Sequence, residues 1–441
     1  MKTQVETVSE IKRKISVEVP VEKIRESLDK VYREIGKKAK IKGFREGKVP
    51  RNILEQYYKA DAEKNTVEEV VKSTYPEVLK NENILPVSEP KIDFKEFKID
   101  KPFSYTAEFE VKPEVKIEKY EGLSLEKLIK EIDDEEVENV LKSTQQQMTQ
   151  LEPAKEGEAV RKDIVAFVDF KGTADGQSFK GGEAENFAMD IGSGNLLPVF
   201  EEKVIGMKAG ESKKIEFEYP KDYFNKDIAG KKGEFNVKVR ELKVKKVPEL
   251  NDDFAKDLGS FKTINDVKVD IKKRLEATAE NEAKSEMANQ AIELLVKKNK
   301  FDVPEGMVMS ELRFMFEGFA RQLAAQGKKF EESGMTAEQF IQKFKPSAED
   351  RVRGFLILDS IAGSVGTTVE DTDVEARLNA VAAQAGKPPE TIREHYEKNN
   401  LMSGLKTQII HEKTLDFIIL KAKIKTKKVK KEKTTPKKGS S

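Results

Sequence analysis

Residues 164–179, IVAFVDFKGTADGQSF, read as a strand running into a tight turn. The run 164–170 is apolar and rich in β-branched and aromatic residues, and Ala174-Asp175-Gly176 supplies the turn. The same pattern recurs at 213–219 and 234–244, so residues from 157 to 246 are expected to form a compact β-rich module with its own punctuation. This module has no histidine, no cysteine, no G-x-S-x-G elbow and no P-loop. It does have aromatics, among them Phe170, Phe179, Phe187, Phe200, Phe217, Tyr219, Tyr223 and Phe235. Two readings stand: the plain interior of a small barrel, or the lining of an apolar pocket.

Upstream, Ile15, Val17 and Val19 alternate as in a half-buried strand. After Pro20 the apolar positions step by three and four (Val21, Ile24, Leu28, Val31, Ile35), one stripe of an amphipathic helix. The loop KKAKIKGFREGKVP (37–50) interrupts it, and Pro50 opens a second helix carrying Ile53, Leu54, Tyr57 and Tyr58. A third helix is expected over 64–80, and residues 103–111 alternate again before Pro113. The segment thus reads as helices on one side of a small antiparallel sheet. A charged connector to about 149 holds a helix over 133–150.

Beyond Pro248 the chain reads as helical to about 420, with breaks at Val303-Pro304, Lys345-Pro346 and Pro388-Pro389. On a helix over 305–327, Val308, Leu312, Phe316, Phe319 and Leu323 share one face, while Met307 and Phe314 fall roughly opposite. Such a helix is either sandwiched in a core or exposes one face on purpose, a use that suits adaptable methionine.

Composition narrows the classes. The 441 residues hold no cysteine and no tryptophan, and charged residues equal the hydrophobic set at 37%. With a mean hydropathy of −0.63, several cores on an elongated multidomain molecule are expected. Disulfides and thiolate chemistry are excluded, and the two histidines, His395 and His411, are too far apart for a metal cluster. The N-terminus lacks an apolar signal core and no stretch reaches bilayer-spanning length, so a cytoplasmic, reducing compartment and no membrane partner are the expectation. The net charge of +1 hides an asymmetry: removing the ten lysines and one acid of residues 421–441 leaves 71 basic and 79 acidic residues, a body of −8. That segment lacks the apolar content to fold alone, and reads either as a solubilising end or as an added attraction for RNA phosphate.

The loop at 37–51 carries seven basic side chains against Glu46 alone, with Gly43 and Gly47 framing Phe44-Arg45. Lysines neutralise phosphates, arginine forks onto phosphate or carboxylate, and a phenyl ring fills a pocket. The alternative is a solvated loop with Phe44 tucked into its own core. GFREGKVP after an amphipathic helix resembles the ribosome-binding signature of bacterial trigger factors, on which Gly43, Phe44, Arg45, Gly47 and Lys48 match by position. Glu46 departs from that pattern, where a basic residue is common, and Lys42 and Arg51 are the neighbours placed to compensate. VDFKGTADGQSF, GGEAENFAMDIGSGNLLPVFEE, GMKAGE, YPKDY and GEFNVKV are similar, in order, to an FKBP-type prolyl isomerase. The resemblance implies a pocket lined by Phe170, Phe179, Phe187, Leu196, Leu197, Phe200, Tyr223 and Phe235, with a backbone N–H near Leu196-Leu197 steadying the substrate carbonyl. Phe200 takes the place often held by tryptophan, and Lys180 that of a common aspartate. VPELNDDFAKDLG (247–259) also resembles trigger factor.

The expectation is therefore a multidomain α+β chain: an N-terminal α/β ribosome-docking domain (1–112), a connector packing with the C-terminal domain (113–149), an FKBP-like antiparallel β-sheet domain with a short helix (150–246), an all-α chaperone domain (247–420), and a disordered Lys-rich tail (421–441). The family reading implies a chaperone that binds nascent and unfolded polypeptides at the large ribosomal subunit, against protein and RNA near the exit tunnel. It would assist folding and export, isomerise prolines without a cofactor, and form a homodimer off the ribosome. Met307, Phe314, Met315 and Phe319 are the candidate client-binding residues. A free-standing isomerase leaves the basic loop and the helical region without work, and a nucleic-acid binder fits poorly with an acidic body.

Overall fold

A computed structural model describes residues 1–428 apart from Lys95, Glu118, Lys180, 194–197, Asp222 and Phe224. The chain divides into two compact units. One is formed by Met1–Leu128 with Ala283–Lys427, the other by Ile129–Glu282 joined by Lys428.

The first unit begins with β1 (Lys2–Thr7), β2 (Lys12–Val19), α1 (Val21–Lys38), α2 (Arg51–Asn81), β3 (Lys91–Phe94) and β4 (Phe103–Glu110). The strands make an antiparallel sheet of order β1-β2-β4-β3. Register sets Ile15 opposite Ala107, Val17 opposite Tyr105 and Val19 opposite Phe103, so every alternate side chain enters one core. Ile24 of α1 and Val67, Val70 and Val78 of α2 cover that face. At its centre the buried Tyr105 hydroxyl lies 2.9 Å from Thr74 Oγ1. Away from the sheet, α1 and α2 share a second cluster of Leu28, Val31, Tyr32, Ala39, Leu54 and Ala62. The helices expected at 51–58 and 64–80 are one element, with a non-helical residue at Tyr58 (φ −123°, ψ 21°) marking the kink. No proline or glycine lies between Tyr58 and Lys64 to stop it.

After β4 the chain forms β5 (Ser124–Ile129), and Ile117, Leu123 and Leu125 enter a helical core described below. The second unit follows: α3 (Asp134–Gln147), β6 (Gln150–Pro153), β7 (Ile164–Ala174), β8 (Glu183–Asp190), α4 (Pro198–Val204), β9 (Ser212–Glu218), β10 (Lys232–Lys246) and α5 (Asp252–Asp257). Asp133 caps α3 by accepting from Glu136 N at 2.9 Å, and Asn251 caps α5 by accepting from Phe254 N at 3.0 Å. All strand pairings are antiparallel: β10 is central, bonded to β6, β7 and β9, and β8 lies outside β7. A core separate from this sheet joins Val137 and Leu141 of α3 to Phe254 and to Val267 and Ile271 of the next helix.

That helix, α6 (Ile264–Lys298), leads into α7 (Glu305–Ala325), a 3₁₀ turn (Phe330–Ser333), α8 (Ala337–Val365), α9 (Asp371–Ala385), α10 (Pro389–Lys398), α11 (Met402–Leu420) and β11 (Lys423–Lys428). Leu123 and Leu125 pack here against Met287, Ala291 and Leu295 of α6, Ile357 and Ile361 of α8 and Ile418 of α11. Pro304 and Pro388 precede helices as expected, but Pro346 lies inside α8. Its ring removes one internal hydrogen bond, while buried Phe340 on one side and Ala348 and Val352 on the other hold the helix through it. A second departure is the tail: residues 423–428 are a strand paired with β5, not a disordered segment. Lys423 N donates to Leu123 O at 2.7 Å, so buried Leu123 anchors the backbone that templates it. The rest of the expected tail, 429–441, lies outside the described residues. Among those described, no helix is long and apolar enough to cross a membrane.

Leu141 is 1% exposed in its cluster. Leu141→Ala is expected to cost about 2–5 kcal/mol through the cavity it leaves, read as a lower urea midpoint of the transition it shifts. A loss below about 1 kcal/mol would mean that the cluster closes over the gap.

Candidate functional site

Along β10 the side chains alternate without interruption from Gly233 to Val239, inward at odd and outward at even positions. This alternation separates two chemistries. Outward lie charges: Arg240 Nε sits 2.6 Å from Asp169 Oδ2, and Lys214 Nζ lies 2.8 Å from both Glu216 and Glu234. Asn186 N and then Arg240 hold the Asp169 carboxyl below its usual range. Inward lies an aromatic basin whose hub is Phe235. Its ring centroid is 5.4 Å from Phe200 on α4, 5.7 Å from Phe217 on β9, 5.9 Å from Phe170 on β7 and 6.2 Å from Phe179. Register explains how Phe235 gets there: it pairs with Gly172, where a Cβ would lie 2.3 Å from the ring. Only glycine lets the phenyl lie across the β7 backbone.

Burial is graded. Phe200 and Phe235 are buried, Phe170, Phe179 and Tyr223 are half-buried, and Phe187, edge-on to Phe170 at 5.6 Å, is exposed. The expected residues Phe170, Phe179, Phe187, Phe200, Tyr223 and Phe235 are therefore brought together. Leu196 and Leu197, like Lys180, lie outside the described residues. Phe217 and Tyr219 join the basin without having been assigned to it: Tyr219 stands 4.9 Å from Phe217 and 5.0 Å from Tyr223. The alternation Ile215, Phe217, Tyr219 was the available signal. Burial, and then Tyr223, pushes the Tyr219 phenol up to about 12, and burial raises Tyr223 also. Both hydroxyls keep their protons at neutral pH.

The second candidate is the loop between α1 and α2. Ile41 and Val49 are half-buried against the cluster those helices share, which fixes the loop's base. Phe44 N donates to Ile41 O at 3.1 Å and Lys48 N to Arg45 O at 3.0 Å, forming two successive turns. Gly43 and Gly47 adopt φ of +94° and +79°, the left-handed region that favours glycine. The result is a protruding tip: Phe44 is 41% exposed rather than tucked into a core, and Lys42, Arg45 and Lys48 are exposed beside it. Arg51 does not belong to that tip. Its guanidinium lies 3.6 Å above the Tyr32 ring and pairs with Asp29 at 3.3 Å and Glu55 at 2.7 Å, so it ties α1 to α2. Glu46 lies 3.9 Å from Lys40.

On α7 the four candidate residues separate. Phe314 is 60% exposed. Met307 and Met315 are half-buried against Val308, Leu312 and Val352, and Phe319 packs on Phe330 and Phe340 at 6.2 and 5.7 Å. Met307, expected on the face opposite the core, is instead gathered in with Phe301 and Val303, which close over the start of the helix. Met309, unremarked in the sequence, is 43% exposed.

Residues 1–144 match the family model "Bacterial trigger factor protein (TF)", residues 263–420 that of its C-terminus, and residues 155–240 "FKBP-type peptidyl-prolyl cis-trans isomerase". Trigger factor of Geotalea daltonii is 37% identical over 96% of this chain and 98% of its own. Trigger factor of Geobacter sulfurreducens is 36% identical over 97% and 99%. A solved structure of the trigger factor chaperone aligns with 95% of this chain and 99% of its own, at 22% identity and a TM-score of 0.48. The chain thus belongs to the trigger factor family, ribosome-associated chaperones that carry an FKBP-type peptidyl-prolyl cis-trans isomerase domain.

Proposed function

We propose that prolyl amides rotate in the basin around Phe235, and that the tip Gly43–Lys48 docks the chain on the large ribosomal subunit beside the cytoplasmic exit tunnel. The observation that carries the first part is an aromatic cluster of graded burial, from buried Phe235 and Phe200 to exposed Phe187, with ion pairs on the opposite side of its strands. Rotating an X-Pro amide breaks resonance against a barrier of about 18–20 kcal/mol, without moving a proton or breaking a covalent bond. An aromatic basin suits that task. It takes the pyrrolidine ring against Phe235 and Phe200 and strips water from the polar planar amide, and the less polar twisted form loses less by that transfer. Tyr223, still protonated, offers a donor to the carbonyl. Phe187 and Phe179 serve as the rim that meets the flanking peptide.

For the tip, exposure of a phenyl beside an arginine and lysines is the supporting feature. The lysines answer RNA phosphate, the guanidinium forks onto phosphate or carboxylate, and Phe44 anchors in an apolar recess of ribosomal protein. Phe314, exposed on α7, is the client-binding residue we retain. Met307, Met315 and Phe319, being partly packed, would support it rather than meet clients directly.

Gly172→Ala should displace Phe235 and lower kcat/KM on a proline peptide by about tenfold or more, in line with the 1–3 kcal/mol typical of overpacking. Unchanged turnover would remove Phe235 from the site. The pH dependence follows from the raised phenols. Stability held by protonated Tyr219 is complete below the free phenol's pKa of about 10 and is lost as pH climbs toward its folded value of about 12. Isomerisation should therefore stay flat from about pH 6 to about pH 9; a bell-shaped profile there would demand an acid or base absent from the proposed mechanism. Replacing Phe44, Arg45 and Lys48 together by Ala should abolish co-sedimentation with ribosomes while leaving peptide isomerisation within about twofold. Ribosome binding that survives would refute the docking assignment.

A further inference from the structure

We propose that the open edge of β1 is a strand-addition site that takes an extended, unfolded polypeptide through its backbone, a contact made without Phe314. Among the described residues β1 pairs with β2 alone, and all six of its residues are exposed. Register decides which backbone groups are open. Val111 N donates to Ile11 O at 2.9 Å, so odd residues of β2 bond toward β4 and even ones toward β1. Lys2, Gln4 and Glu6 are thus the residues of β1 that bond back to Glu18, Ser16 and Lys14. Thr3, Val5 and Thr7 turn their N–H and C=O groups outward, a row of alternating donors and acceptors. Sheet edges are normally blunted. The opposite edge is: β3 has four residues and follows Pro90. β1 has six, with no proline and an unbroken register over all six pairs, so neither a block nor a bulge protects it.

The chemistry selects the partner. Donors and acceptors alternating at every second residue match another extended backbone, whereas RNA phosphate brings no donors and a bilayer no fixed row. A folded globule keeps few edges open, so the partner is a chain not yet folded. Side chains add a preference. Val5, opposite buried Ile15, is still 37% exposed and favours a β-branched neighbour. Lys2 leans back onto Glu18 at 3.3 Å, while Glu6 makes no ion pair among the described residues and favours a basic one. The site is also well placed. α1 follows β2 directly, buries Ile24 against the same sheet, and spans about 27 Å to the tip loop at its far end. On the docking reading above, the edge therefore stands within a helix length of the docked tip, where an emerging chain is still extended; this placement alone, not the edge chemistry, rests on that reading.

The test uses the full chain and a labelled heptapeptide, Thr-Val-Lys-Val-Thr-Val-Thr. Antiparallel pairing sets its valines opposite Thr3, Val5 and Thr7 and its lysine opposite Glu6. Binding, read by fluorescence anisotropy, should slow amide exchange at Thr3, Val5 and Thr7 and leave Gln4 and Glu6 unchanged. N-methylating the three valines should weaken binding about tenfold or more, whereas N-methylating the lysine and the central threonine, which face away, should leave it within about twofold. Val5→Pro deletes one outward donor without touching the ladder to β2 and should weaken binding about fivefold, with prolyl isomerisation and ribosome co-sedimentation retained. The Phe44, Arg45 and Lys48 triple variant should bind the peptide as the parent chain does, so failure of the docking reading is told apart from failure here. No binding, binding without protection at β1, or equal binding of the two methylated peptides overturns the proposal. Protection of the same three amides that grows with protein concentration in the absence of peptide also overturns it, giving the edge to a second copy.

Discussion

Burial of Leu123 and Leu125 among α6, α8 and α11 is the constraint on which the chain's organisation rests. These two side chains are 2% and 0% exposed, and they come from the segment that leaves the N-terminal sheet. By packing against helices more than 160 residues later in the sequence, they make one unit from the two ends of the chain. At about 25 cal/mol per Å² of apolar surface, two buried leucines contribute several kcal/mol, far more than any exposed ion pair. Two polar contacts reinforce the arrangement. Lys112 reaches Asp359 at 3.0 Å, and Glu110 accepts from Gly306 N at 2.7 Å at the start of α7. The isomerase sheet can then be inserted between those ends as a module with its own core.

Within that module, alternation along β10 separates the charged face of the sheet from the aromatic cluster around Phe235. On β10 the outward positions are Lys232, Glu234, Asn236, Lys238 and Arg240, and the inward ones Gly233, Phe235, Val237 and Val239, which keeps ionised groups on the face away from the aromatic cluster. A basin free of ions is what an isomerase needs if it works by desolvating a neutral amide. The same reasoning accounts for Gly172. Any side chain there would hold Phe235 away from the β7 backbone, so the basin's depth depends on an absent Cβ as much as on the aromatics present.

The sequence was most legible where one period ran unbroken. Ile15, Val17 and Val19, and Phe103 to Phe109, each point to one buried face and are buried as that reading requires, and of the α1 stripe Ile24, Leu28 and Val31 are buried while Val21 and Ile35 at its ends are half-buried. Phe44 could be placed on a loop, but its exposure depends on how Ile41 and Val49 are anchored, which spacing does not reveal. β5 and β11 were illegible for a physical reason. KIKTKK has a single apolar residue and SLEKLI sets Leu125, Leu128 and Ile129 out of alternation, so neither declares a face, and their pairing is decided by a core formed elsewhere. Pro346 misled because local preference ends a helix at proline, whereas burial of Phe340, Ala348 and Val352 across it outweighs the lost bond. Arg51 looked like one more docking cation until Tyr32, Asp29 and Glu55 were found around it.

Exposed aromatics pose a problem for a protein meant to bind unfinished chains, because a surface that accepts them also invites association with itself. This chain addresses it by dispersal. Among the described residues the exposed aromatics are spread over a loop (Phe44), strands (Phe94, Phe187) and helices (Tyr57, Phe314, Phe355). Each offers another copy only a small apolar contact, whereas an extended client can engage several such points in succession. The charge that keeps copies apart is negative over most of the chain, and the ribosome is a polyanion. Attraction must then come from local cationic elements strong enough to act within about one Debye length, roughly 8 Å at physiological salt. Exposed Lys42, Arg45 and Lys48 at the glycine-framed tip make a local cationic element of the kind this constraint calls for.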